Sequence, residues 1–201
     1  MSADHQPSTG SGPVGRSESS AMTERIPGLS APVCVLVGPP GAGKTTVGTL
    51  LAGRLGVEFT DTDALIEVDA GRPIPDIFVD DGEDHFRALE RAAVARALAE
   101  HRGVVSLGGG SVLAESTRDA LLDHLVVFLS VELADAARRI GLGVGRPLLS
   151  INPRATLRAQ LADRRPYYEQ VADVVVPTDG IEPEQVVETI LAALKDLEVR
   201  P

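Results

Sequence analysis

One stretch of the chain decides its fold, because an apolar run leads directly into a glycine-rich turn. It reads Val33-Cys34-Val35-Leu36-Val37-Gly38-Pro39-Pro40-Gly41-Ala42-Gly43-Lys44-Thr45. The second half matches the phosphate-loop pattern G-x-x-x-x-G-K-[ST]. A buried strand that delivers such a turn to a helix N-terminus aims several backbone N–H groups at one point, where di- and triphosphates bind. The predicted nucleotide-binding residues are Gly41, Ala42, Gly43, Lys44, Thr45 and Thr46.

The composition limits the size class and the partners of the protein. A length of 201 residues suffices for one ordinary domain and a tail. The net charge of -10 argues against non-specific nucleic-acid binding, which needs a basic face. No stretch approaches the roughly 20 apolar residues of a membrane span, and the single cysteine, Cys34, cannot form an intramolecular disulfide. We therefore expect a cytoplasmic monomer that binds neither nucleic acid nor membrane.

Apolar runs and helix-length segments alternate along most of the chain. Residues 1–30 are rich in Ser and Gly and poor in apolar periodicity, so they predict a disordered extension before one folded domain over 31–201. The predicted strands are 33–37, 57–60, 104–107, 125–129 and 174–176, and the helical segments are 45–55, 84–100, 116–122, 132–139, 155–164 and 183–197. This order predicts a doubly wound α/β fold, with a five-stranded parallel sheet and helices on both faces. Ligands of such sheets bind beyond the carboxyl ends of the strands.

Two carboxylates follow the second predicted strand in the segment Asp61-Thr62-Asp63. Phosphoryl transfer needs an acidic group near Mg²⁺ and another that positions or deprotonates the attacking hydroxyl. The alternative is that Asp63 is only the N-cap of a helix over 64–68. Both roles are compatible with the sequence.

Three further segments are weak signals when each is taken alone. Gly108, Gly109 and Gly110 follow the third predicted strand and offer bare backbone to a ligand, or else form an ordinary loop. Arg87 and Glu90 are three residues apart on a predicted helix, where they bind a ligand or simply pair with each other. The basic cluster 164–168 is equally compatible with a site and with the end of a surface helix.

The segment 138–149 contains three alternating glycines flanked by arginines. This pattern predicts a mobile lid over about 138–150, which closes a cation over a triphosphate and excludes water. An ordinary long loop is the alternative reading.

In order and spacing, these blocks together resemble shikimate kinase over roughly residues 31–195. The resemblance implies a P-loop kinase of the nucleoside-monophosphate-kinase type that uses MgATP to phosphorylate the 3-hydroxyl of shikimate in the aromatic amino-acid pathway. It places Asp63, Arg87, Gly109 and Arg164 on shikimate, Thr45 on Mg²⁺, and Arg146 on ATP from the lid. By chemistry, Asp63 would accept the hydroxyl proton, Lys44 and Arg146 would stabilise the transferring phosphoryl group, and Asp61 would hold metal-bound water.

One departure from the family pattern concerns adenine. The family often has an arginine after the last strand that packs on the base, whereas this chain reads Val176-Pro177-Thr178-Asp179-Gly180 there. The rival readings are a gluconate or nucleoside-monophosphate kinase of the same fold, and a nucleotide-dependent switch. A GTPase switch would need an N-K-x-D motif, and the only asparagine, Asn152, is followed by Pro153 and Arg154.

Overall fold

A computed structural model describes residues 32–141 and 152–198. Within these ranges, five strands form one sheet in the order β2-β3-β1-β4-β5, and every pairing is parallel. The strands are β1 (Cys34–Val37), β2 (Phe59–Asp61), β3 (Val104–Ser106), β4 (Val126–Ser130) and β5 (Val174–Pro177). The predicted parallel five-stranded sheet is confirmed. The proposed extension 1–30 and the lid residues 142–150, including Arg146, lie outside the described residues.

Eight α-helices lie in the described parts of the chain, two of them in places where the sequence pattern predicted either no helix or a shorter one. The helices are α1 (Lys44–Leu55), α2 (Thr62–Ala70), α3 (Ile74–Asp80), α4 (Gly82–Glu100), α5 (Glu115–Leu121), α6 (Leu133–Arg139), α7 (Pro153–Val171) and α8 (Pro183–Glu198). Helix α3 was not predicted. Helix α7 continues through Pro166, so the basic cluster 164–168 lies inside a helix and not at its end.

The core is divided between the two faces of the sheet. Along β1, alternate side chains point to opposite faces, so Cys34 and Leu36 pack in one cluster while Val35 and Val37 pack in the other. All four are at most 1% exposed, as expected for the central strand of a covered parallel sheet. Within the described ranges, no helix is long and apolar enough to cross a membrane.

The strand order brings three chain segments together at one edge of the sheet. Strand β3 lies between β1 and β2, and its last residue, Ser106, is in register with Leu36 of β1 and Asp61 of β2. The chain that leaves β1 forms the phosphate loop, and the chain that leaves β3 enters Gly108–Gly110, which we call the glycine loop. Because the strands are parallel, these segments meet at their carboxyl ends, where ligands of such sheets bind.

Candidate active site

The phosphate loop has the conformation that its sequence predicts. Gly41 and Gly43 have φ values of 81° and 88°, in the left-handed region that favours glycine. Lys44 begins α1, and its Nζ donates hydrogen bonds to the carbonyl oxygens of Gly38 at 2.8 Å and Pro39 at 3.3 Å. Burial lowers the pKa of Lys44, although Asp61 and Asp63 act in the opposite direction. A bound phosphate would favour the charged form of this amine.

Asp61 connects the phosphate loop to the start of α2. Its Oδ2 accepts a hydrogen bond from the Thr45 hydroxyl at 3.1 Å, and its Oδ1 accepts one from the backbone N–H of Asp63 at 3.0 Å. Asp61 is therefore the N-cap of α2, and Asp63 lies in the first turn. The alternative reading of Asp63 as the cap is wrong, because the cap is the earlier carboxylate. The Asp63 side chain is thus available for another role.

Asp63 occupies an environment that disfavours its charge. Its Oδ1 is buried and has no hydrogen-bond partner within the described parts of the chain. Burial, followed by the nearby carboxylates of Asp61 and Glu90, raises the pKa of Asp63 to about 6, against a smaller opposing effect of Lys44. A buried, unpaired carboxylate that is costly to ionise is typical of a functional site.

The glycine loop brings four charged side chains to one place, with Asp63 and Glu90 beside Gly108, Arg164 beside Gly109 and Arg87 beside Gly110. A Cβ atom at Gly108 would clash with the Asp63 carboxylate, and one at Gly110 would clash with the Arg87 guanidinium. The carbonyl oxygen of Gly109 accepts a hydrogen bond from Arg164 Nη1 at 3.2 Å. The sheet edge therefore places two carboxylates and two guanidinium groups around bare backbone.

The glycine loop also touches the phosphate loop. A Cβ atom at Gly109 would lie 3.1 Å from Pro40 Cδ and 3.5 Å from the carbonyl oxygen of Gly38. Any side chain at position 109 would thus press on the turn that precedes Lys44. Molecules bound at the two loops would consequently be neighbours.

Arg87 is oriented by a buried carboxylate that the sequence pattern did not distinguish from a surface pair. Glu90, whose side chain is 4% exposed, accepts a hydrogen bond from Arg87 Nη1 at 2.7 Å, and its Oε1 lies 3.2 Å from the Ser111 hydroxyl oxygen. On its exposed side, Arg87 also pairs with Glu83 at 3.1 Å. Burial would lower the pKa of Arg87, but the bonds to Glu90 and Glu83 outweigh that effect and raise it. The guanidinium is therefore held in place and charged.

A cleft of about 480 Å³ lies beside the start of α1. Its lining residues come from α1 and the preceding turn, from α6, and from the segment that enters α8: Ala42, Gly43, Thr46, Val47, Arg138, Arg139, Thr178, Gly180, Ile181, Glu182, Pro183 and Val186. Arg138 and Arg139 of this cleft end α6, so the first residues of the lid predicted over about 138–150 belong to a helix. The segment after β5 contributes no basic residue to the lining of this cleft.

Arg139 ties three segments of this cleft together. Its Nη1 donates to the carbonyl oxygen of Gly41 at 3.1 Å and to the Thr178 hydroxyl at 2.9 Å, and its Nη2 donates to the Thr178 carbonyl. The Thr178 hydroxyl in turn donates to the carbonyl oxygen of Ser130 at 3.0 Å. The sequence pattern placed Arg139 in the predicted lid and gave no sign of these bonds, because its partners lie far away along the chain.

Comparison with known proteins places these features in one family. Residues 40–195 match the family model for shikimate kinase. A shikimate kinase of Salinispora arenicola is 65% identical over 164 residues, which cover 82% of this chain and 98% of the relative. The solved structure of a shikimate kinase from Acinetobacter baumannii in complex with shikimate is 34% identical with a TM-score of 0.78, covering 85% of this chain and 96% of the other. A gluconokinase structure from Sinorhizobium meliloti is more distant, at 25% identity and a TM-score of 0.52, with 82% and 92% covered.

Proposed function

The chain belongs to the shikimate kinase family, and from this premise we propose that it transfers the γ-phosphoryl group of ATP to the 3-hydroxyl of shikimate. The observation that carries the proposal is the glycine loop, beside which Asp63, Arg164 and Arg87 lie, with Glu90 paired to Arg87. Two guanidinium groups and the Asp63 carboxylate beside a phosphate loop suit a small anion that carries hydroxyl groups.

Shikimate has one carboxylate and three hydroxyls, so its two ends need different partners. Guanidinium groups bind carboxylates through paired N–H donors, which assigns Arg87 and Arg164 to the carboxylate. Asp63 and the backbone of Gly109 are left for the hydroxyls. Because Gly109 lies against Pro40 of the phosphate loop, a ligand bound there would be next to the phosphates of the nucleotide.

ATP would bind with its phosphates in the phosphate loop and its base in the adjoining cleft. The loop N–H groups and Lys44 would receive the β- and γ-phosphates. The cleft beside Arg138 and Arg139 is continuous with residues 42–47 and is large enough for an adenosine moiety. Arg146 remains part of the proposal as an ATP ligand, although it lies outside the described residues.

The residues at the start of α1 fit the Mg²⁺ ion that accompanies ATP. The Thr45 hydroxyl lies 3.1 Å from Asp61 Oδ2, so a hydroxyl and a carboxylate are already adjacent. Mg²⁺ takes few protein ligands and is otherwise held by phosphate oxygens and water, which this pair matches. We assign Thr45 as the direct ligand and Asp61 as a ligand through water. When bound, the ion neutralises charge on the β- and γ-phosphates.

Asp63 would accept the proton of the attacking hydroxyl. Its unpaired Oδ1 is free to do so, and a pKa of about 6 keeps most of the carboxylate ionised at pH 7 while making it a stronger base than an ordinary aspartate. Lys44 and Arg146 would stabilise the negative charge on the phosphoryl group in the transition state of the transfer. Transfer is then direct and in line, without a covalent enzyme intermediate.

We propose that the enzyme acts as a monomer, because the phosphate loop, Asp63, Arg87 and Arg164 supply the kinds of group that both substrates need. The free thiol of buried Cys34 and the need for ATP fit a cytoplasmic enzyme.

A coupled assay of ADP release tests the function. The purified chain is given MgATP with shikimate, gluconate or a nucleoside monophosphate, or with no acceptor. We expect release that depends on shikimate alone. A rate that is equal without an acceptor, or higher with gluconate or a nucleotide, would contradict the proposal.

A further inference from the structure

Tyr168 is buried in the last turn of α7, and packing alone does not explain its hydroxyl. The side chain is 1% exposed, and its ring stacks on Phe128 of β4 with the centroids 5.0 Å apart. Phenylalanine would make the same ring contact without the cost of removing a hydroxyl from water. The hydroxyl therefore needs a separate reason for its presence.

That hydroxyl is directed at the glycine loop. It donates a hydrogen bond to the carbonyl oxygen of Gly109 at 2.5 Å, and the same oxygen accepts from Arg164 Nη1 at 3.2 Å. Burial raises the pKa of Tyr168 to about 12 despite the opposing charge of Arg164, so the hydroxyl remains a donor at neutral pH. The Gly109 carbonyl is thus held from the protein interior by two donors.

Holding the carbonyls of the loop fixes where its N–H groups point. In a trans peptide the C=O of one residue and the N–H of the next point in opposite directions. The Tyr168 bond therefore sets the direction of the Gly110 N–H. The Gly108 carbonyl accepts from the Ser111 backbone N–H at 3.0 Å and from the Ser111 hydroxyl at 2.8 Å, and these bonds set the direction of the Gly109 N–H. Within the described parts of the chain, neither N–H has a hydrogen-bond partner. Both are consequently oriented and free.

We propose that Tyr168 is a positioning residue for the acceptor substrate, which it serves by fixing the Gly109 carbonyl and, through it, the adjoining N–H donor and the Arg164 guanidinium. This inference rests on the proposed function, in which Gly109 and Arg164 bind shikimate. Glycine has more backbone freedom than any other residue, so a run of three glycines loses much conformational entropy when it is ordered. If the loop is already ordered before the substrate arrives, binding does not have to supply that entropy cost.

The test compares Tyr168→Phe with Tyr167→Phe in the full chain. The first variant keeps the ring stack on Phe128 and loses only the hydroxyl. The second makes the same chemical change at the neighbouring position, where the ring is partly exposed and lies 4.7 Å from the Arg118 guanidinium carbon. Steady-state kinetics are measured for both substrates by ADP release, and melting temperatures are recorded alongside.

We expect Tyr168→Phe to raise the KM for shikimate roughly five- to thirtyfold, the usual effect of losing one hydrogen bond to a buried group, and to leave the KM for ATP within about twofold. Tyr167→Phe should leave both unchanged.

Equal changes in both KM values, a fall in kcat with both KM values unchanged, or a shikimate KM equal to that of Tyr167→Phe would overturn the inference. Failure of the function itself is distinguishable, because wild-type protein would then show no shikimate-dependent ADP release.

Discussion

Replacing Asp63 with Asn should make the protein more stable and nearly inactive at the same time. The structure supplies the magnitude of the stability change. A pKa raised from 3.8 to about 6 means that ionised Asp63 is disfavoured in the folded protein by up to about 3 kcal/mol. The group is partly exposed, and the new amide needs partners, so we expect a gain of about 1 to 3 kcal/mol at pH 7.5.

The sign and the pH range follow from proton linkage. Because the folded-state pKa is the higher one, the favourable contribution of Asp63 is fully present below pH 3.8 and is lost as the pH rises through about 6. The advantage of Asp63→Asn should therefore be largest above pH 6 and about half as large at pH 5. Urea unfolding of ligand-free protein at pH 7.5 and pH 5 measures this difference.

The same variant should lose about 10² to 10⁴ in kcat, the typical contribution of a positioned general base. Its KM for ATP should hardly change, because the phosphate loop is untouched. Asp119→Asn, which neutralises an exposed carboxylate on α5, is the matched control and should alter neither property. The reasoning would be refuted by near-wild-type turnover, or by a stability gain that does not decrease between pH 7.5 and pH 5.

Three other changes separate the parts of the proposed site. Arg164→Ala should weaken shikimate binding by about 1.5 to 3 kcal/mol and leave ATP affinity within about threefold by titration calorimetry, with exposed Arg165→Ala as control; an effect on ATP alone would place Arg164 with the nucleotide. Arg139→Ala, which removes the bonds to Gly41 and Thr178, should raise the KM for ATP about five- to thirtyfold and spare that for shikimate, whereas the reverse pattern would count against the cleft as the adenosine site. Deleting residues 1–30 should leave kcat and melting temperature nearly unchanged, because the family match begins at residue 40; a loss of several degrees would mean that the extension packs on the domain.

The sheet could be predicted from the sequence because its strands are buried on both faces. Each strand is a short apolar run bounded by loops, and such runs alternate with helical periodicity. Helix α3 could not be predicted in this way. It has seven residues and begins after Pro73, so its stability comes from tertiary contacts, with Ile77 fully buried against α2 and α4.

The full length of helix α7, which carries residues of the proposed site, could not be predicted from the sequence either. Pro166 removes a backbone donor and normally ends a helix, yet α7 continues to Val171 because Tyr168 and its neighbours pack against the sheet. Local sequence rules do not include the stabilisation that comes from such tertiary packing. As a result, they left the cluster that contains Arg164 equally compatible with a site and with a helix end, and gave no role to Tyr168.

The site residues also differ in how far the sequence predicted their roles. The spacing of the phosphate-loop pattern predicts the chemistry of Lys44, whereas Asp63 and Arg87 were assigned through the family resemblance. The environment of Asp63 is visible only in the fold. Asp61 takes the capping role, which leaves Asp63 Oδ1 unpaired beside Gly108. Arg139 acts through contacts with Gly41 and Thr178, which are 98 and 39 residues away along the chain, and no short pattern records such contacts.

The most direct test of the proposed activity is to identify the product by NMR. Wild-type protein is incubated with MgATP and shikimate, and ³¹P and ¹H spectra locate the new phosphate ester on the ring. With Asp63 directed at one hydroxyl and both arginines holding the carboxylate, we predict a single monoester at the 3-hydroxyl. A mixture of positional esters, an ester at another hydroxyl, or release of inorganic phosphate without an ester would contradict the account.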